Sequence, residues 1–88
     1  MALAYHALKK LKGHNGAIYK LLDTKNNFFY SCGGDGFIVK WWKDLDKEDG
    51  LLLARTESPI YTAMLYDEEQ YLIAGCLDGS VILIDLRS

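Results

Sequence analysis

Ser31, His14 and Asp35 are the residue types of a hydrolytic triad: a hydroxyl to attack, an imidazole to take its proton and a carboxylate to orient the imidazole. Such a serine works only with an exposed oxygen, a base within reach and an oxyanion hole. Two other groupings invite a chemical reading. Gly33-Gly34-Asp35-Gly36 is glycine-rich, like a phosphate loop. Phosphate loops, however, open a helix, and this one leads into Phe37-Ile38-Val39, a β-forming run. Asp44, Asp46 and Asp49 crowd one segment but lack the spacing of a calcium loop and its terminal glutamate. Cys32 and Cys76 stand alone, without CxxC spacing or a nearby histidine pair, so no zinc site is expected. They read as reduced, buried, small apolar residues. His6 has no partner in view and is given no role. These residues point to no metal and no cofactor.

The elements that carry them come in two copies. Tyr30–Trp41 returns in altered form as Ile73–Ile84, and Asp35 and Asp78 lie 43 residues apart, each followed by Gly and an apolar run. Self-similarity at that period marks a repeat architecture whose units must stack to bury their faces. The first copy reads as strands over Ala17–Leu22, Phe28–Cys32, Phe37–Trp42 and Leu51–Thr56; the second as Ile60–Tyr66, Tyr71–Gly75 and Val81–Asp85. Gly33–Gly36 and Leu77-Asp78-Gly79 are hairpin turns, where Gly and Asp tolerate the positive φ required. Pro59 sits just before a strand, where its missing N–H does little harm. Leu3, Ala7, Leu8 and Leu11 fall on one helical face. The same segment, however, precedes Gly13-His14 as Leu51–Leu53 precedes Arg55-Thr56, and this register predicts an outer strand over about Leu3–Lys12.

The 88 residues carry a net charge of -2, too weak to suggest nucleic acid or an anionic membrane as partner. No apolar run approaches the ~20 residues of a membrane span, and the first residues lack a signal-peptide pattern, so a cytoplasmic setting is expected. The average hides an asymmetry. Met1–Lys43 holds seven lysines against two aspartates, +5, whereas Asp44–Ser88 holds three basic residues against ten acids, -7.

Gly13-His14, Ile18, Ser31, Asp35 and Trp41 together resemble the WD40 repeat family of β-propellers, and Ile60, Ala74, Asp78, Ile84 and Asp85 match it more loosely. Both units depart from the family's Trp-Asp ending, reading Trp41-Trp42 and Ile84-Asp85. The resemblance implies an all-β fold of two four-stranded blades. Residues 1–56 would hold the outer strand and the first blade, and residues 57–88 three inner strands of the second. It implies a structural hydrogen-bond chain: Trp41 to Ser31, Ser31 to His14, His14 to Asp35. Such a chain occupies the serine, so no catalytic residue is expected. The second unit offers Asp78, Thr56, Ala74 and Ile84 in its place, and no chain. Ring-face binding positions by analogy are Asn15, Ala17 and Gly34, then Glu57, Pro59 and Leu77; Tyr19, Tyr61 and Trp42 are further surface candidates.

The resemblance further implies a non-catalytic scaffold for a peptide or protein, its propeller completed head to tail by copies of the chain that exchange the N-terminal outer strand. Eight blades from four copies distort a seven-blade angle of about 51° less than six from three, about 45° against 60°, so a tetramer is favoured over a trimer. The alternative is a propeller piece, natural or engineered, whose only activity is self-assembly.

Overall fold

A computed structural model describes residues 7–87. Seven strands follow one another: β1 (Ile18–Asp23), β2 (Phe28–Gly33), β3 (Phe37–Trp42), β4 (Leu51–Arg55), β5 (Ile60–Tyr66), β6 (Tyr71–Cys76) and β7 (Val81–Asp85). They pair antiparallel in chain order as two sheets, β1-β2-β3-β4 and β5-β6-β7. This is the all-β architecture expected of WD40 blades, and each predicted strand lies within a residue of its observed bounds. Thr56 leaves β4 because its hydroxyl turns to the carbonyl of Ser58, 2.7 Å away, and starts the link to the second sheet.

Pairing register separates the faces. Ser31 opposes Val39 and Leu21, and Phe29 opposes Trp41; these form the front face of the first sheet. Tyr30 opposes Leu22, and Cys32 opposes Ile38, which opposes Ala54; these form its back. A shift of 43 residues carries Ser31 to Ala74 and Tyr30 to Ile73, so the second sheet has the matching front (Leu72, Ala74, Ile82, Ile84) and back (Met64, Ile73, Leu83). The first sheet's back packs on the second sheet's front. Leu22, Tyr30, Cys32 and Ile38 meet Ile60, Ala63, Leu72 and Ala74 in one core. Ile38, Ile60 and Leu72 are fully buried, each stabilising the fold by roughly 1.5–3 kcal/mol.

The expected outer strand over about Leu3–Lys12 is not found where it can be checked: residues 7–12 form no strand, and Leu3–His6 lie outside the described residues. A strand is held by its ladder, and these residues join neither sheet of the same chain. The segment is tied down by a side chain instead. The Lys9 ammonium donates to the carbonyl of Trp42, the last residue of β3, and to those of Asp44 and Lys47 in the segment after it, the last at 2.9 Å.

Candidate functional site

Four side chains meet on the front of the first sheet. Ser31 on β2 and Trp41 on β3 are brought together by their register, one residue pair apart. His14 arrives from the segment before β1, and Asp35 from the β2–β3 turn. The Trp41 indole Nε1–H donates to Ser31 Oγ at 2.7 Å. The Ser31 hydroxyl then donates to His14 Nε2 at 2.6 Å, which leaves Nδ1–H to donate to the Asp35 carboxylate at 2.9 Å. Asp35 also accepts the backbone N–H groups of Asn15 and Phe37. Burial opposes its ionisation, but the Phe37 N–H, the His14 ring and the Asn15 N–H outweigh it and hold the carboxyl below the usual aspartate range. Gly13 lies against the Trp41 ring, so close that a Cβ there would come within 2.9 Å of it.

This arrangement positions residues rather than reacting. Ser31 is 1% exposed and both functions of its hydroxyl are engaged, so no substrate carbonyl can reach it. The Cys32 thiol is buried as well, and that burial pushes its pKa up to about 11, far from the reactive thiolate range. The acids at Asp44, Asp46 and Asp49 do not converge, and no cluster of metal-ligating side chains exists among the described residues.

The second sheet repeats the backbone of the turn without the side-chain network. Gly34 N–H donates to Ala17 C=O at 2.8 Å, and Leu77 N–H to Pro59 C=O at 2.9 Å; Gly36 donates to Gly33 and Gly79 to Cys76, both at 3.1 Å. Asp78 accepts from the Ser80 N–H and hydroxyl instead of a histidine, and Thr56 turns away to Gly36 and Ser58. Ala74, where the first sheet has Ser31, is fully buried in the core.

The six ring-face positions occupy matching places on the two sheets. Ala17–Gly34 and Pro59–Leu77 are equivalent hydrogen-bonded pairs, and Asn15 and Glu57 are exposed beside them. Tyr19 and Tyr61, each about half exposed, meet between the sheets with ring centroids 4.9 Å apart and planes tilted by 50°, and Tyr19 borders Gly34. Trp42 sits apart, half-buried, with the Lys40 ammonium 5.4 Å from its ring. Lys9 is the anchor that sequence reasoning passes over, because its partners are carbonyls and leave no pattern in residue types.

Comparison with known proteins agrees with this geometry. Residues 6–41 match the family model described as "WD domain, G-beta repeat", a span that holds His14, Ser31, Asp35 and Trp41. A curated relative, peptidyl-prolyl cis-trans isomerase 9 of Schizosaccharomyces pombe (strain 972 / ATCC 24843), is 29% identical over 76 residues, which are 85% of this chain and 12% of the relative. The chain thus spans about an eighth of that relative's length, and the isomerase name describes the relative. No solved structure matches. Repeats of this family generally mediate protein–protein contacts as non-enzymatic scaffolds, and the match supports a WD40-type repeat over residues 6–41.

Proposed function

We propose that the chain is a non-catalytic protein-interaction module whose propeller is completed head to tail by further copies, four in preference to three. One observation carries this reading: the back of the second sheet is built like the back of the first but is bare. Tyr30 and Leu22 on the first back are 5% and 8% exposed, whereas Met64 and Leu83 on the second are 55% and 64% exposed. Inside the chain such a back meets the second sheet's front; the first sheet's front, with Leu21 61% exposed, is the equivalent surface a second copy would offer. An interface of one front on one back is heterologous and closes into a ring when the rotation per unit allows. The opposite charges of the two halves favour the same order of contact. The completed ring would present Asn15, Ala17, Gly34, Glu57, Pro59 and Leu77 around the Tyr19–Tyr61 pair as its surface for a peptide or protein. The cytoplasm, with its reducing conditions, suits the two free thiols.

Sedimentation equilibrium of wild type and Met64→Glu tests the stacking. A carboxylate on the bare back is expected to hold the variant at single-chain mass, with unchanged circular dichroism. Equal masses for the two would contradict stacking through this face. The second reading, self-assembly with no evolved ligand, predicts that substitution of both Tyr19 and Tyr61 changes the binding of no partner protein.

A further inference from the structure

The loop between β3 and β4 gathers backbone carbonyls around one cation. Lys43 N–H donates to Asn27 C=O, and backbone bonding alternates along an antiparallel pair. Trp42 therefore turns its carbonyl away from β2, towards the side of β4, where the ladder has already ended with Lys40 opposite Leu51. The loop then folds back on itself. Lys47 N–H donates to Asp44 C=O at 3.2 Å, and the Asn27 amide donates to the Asp44 carboxylate at 2.6 Å. Neither bond involves Lys9, so the turn that aims these carbonyls is built by the loop and its neighbour. The Lys9 ammonium meets Trp42 C=O at 3.3 Å, Lys47 C=O at 2.9 Å and Asp44 C=O between them in sequence. Three convergent acceptors match the three N–H donors of a primary ammonium, whereas a planar guanidinium spreads its donors in a fork. The loop also carries four acids, Asp44, Asp46, Glu48 and Asp49, while Lys43 is drawn off to Asp23 at 2.8 Å. A cavity of about 380 Å³ in the same loop is lined by Trp42, Asp46, Lys47, Glu48 and Asp49.

We propose that the loop over residues 43–50, with the Trp42 carbonyl, is a binding site for the primary ammonium of a lysine side chain, which Lys9 fills from within in the free chain. The site stands on its own geometry and does not depend on the assembly reading above. Its external ligand is a lysine on a basic segment of a partner protein. The carbonyls take the ammonium, and Asp46, Glu48 and Asp49 in the cavity beside them favour the further positive charge of such a segment. The partner must displace Lys9, so its apparent affinity falls in proportion to the fraction of chains from which Lys9 has withdrawn. Lys9 is thus an internal competitor, and the same contact that ties down the segment before β1 keeps the site closed to weak ligands.

Full-length Lys9→Ala, isotope-labelled for amide NMR, tests the site with n-butylammonium as the probe. Tetramethylammonium, of equal charge but without N–H groups, is the control. n-Butylammonium is expected to shift the amide signals of residues 43–50 saturably and tetramethylammonium to leave them in place. Wild type should respond at least about tenfold more weakly, because Lys9 holds the carbonyls. Equal responses to the two cations would overturn the proposal and reduce the contact to a general attraction for positive charge. A wild type as responsive as Lys9→Ala would overturn the internal ligand. Trilysine should bind Lys9→Ala more tightly than n-butylammonium does; equal affinities would overturn the assignment of a basic segment. If Lys9→Ala fails to fold by circular dichroism, Lys9→Met, which keeps the apolar stem and lacks the ammonium, carries the same comparison. In the wild type, acetic anhydride should acylate the exposed Lys10 and Lys12 before the half-buried Lys9, and equal rates would contradict the clasp. None of these readouts turns on the mass in solution, so the site and the assembly can fail separately.

Discussion

Removing the His14 imidazole strands two neighbours at once, the Ser31 hydroxyl and the Asp35 carboxylate. His14→Ala is therefore expected to destabilise the chain by about 1–3 kcal/mol, the cost of leaving buried polar groups unpaired, read as a lower midpoint in urea. Ser31→Ala in the same background should add less than it does alone, because the two act in one network. Asp35 gives the network a pH dependence. Its carboxyl is held below the usual aspartate range, so its contribution is complete above about pH 4 and is lost as the pH falls through the lower folded value. Asp35→Asn should flatten this acid limb of the stability profile while leaving the neutral region sloped as before. Cys32 and Cys76 part company in reactivity: with Cys32 fully buried and its thiol raised to about 11, iodoacetamide at pH 8 should alkylate Cys76 first. This network was legible through the family resemblance, which implies it; by residue type alone Ser31, His14 and Asp35 read as a hydrolytic triad. Lys9 was not, since a carbonyl partner is the same in every residue.

Two turns of one design differ in what surrounds them. Gly36 and Gly79 both sit at positive φ, 76° and 90°. A Cβ on Gly36 would come within 2.3 Å of the Thr56 carbonyl oxygen, whereas one on Gly79 meets nothing within 4 Å. Alanine at Gly79 is expected to cost only the backbone strain, about 1–3 kcal/mol. Alanine at Gly36 must in addition push β4 from β3, so its midpoint in thermal melts should fall well below that of Gly79→Ala. Strand placement was readable along the whole of 17–85 because glycine turns and alternating apolar residues recur with the period. The segment before Gly13 was not. Its residues satisfy a helical face and a strand register equally, and neither pattern states whether a partner edge lies within the same chain. Where it is described, the segment pairs with no strand.

At the scale of the molecule, the two sheets make one interface, and under the proposed stacking the first front and the second back would make another. This arrangement was partly written in the repeat, since two similar units give both sheets the same front and back. The exposed Met64, Val81 and Leu83 could be placed on one surface only once the register was known. Charge acts over the same distance. The first half is positive and the second negative, and exposed charges lose their reach as the Debye length falls from about 10 Å at 0.1 M salt to 3 Å at 1 M. Assembly should accordingly weaken on going from low to high salt, as seen in a shift of the sedimentation boundary towards the single chain.

The most direct test of head-to-tail completion is the mass in solution, by light scattering behind a sizing column across a range of concentrations. Four chains of 10.0 kDa, about 40 kDa in a species that persists on dilution, is the result predicted for a closed ring. A folded single chain at every concentration would contradict it.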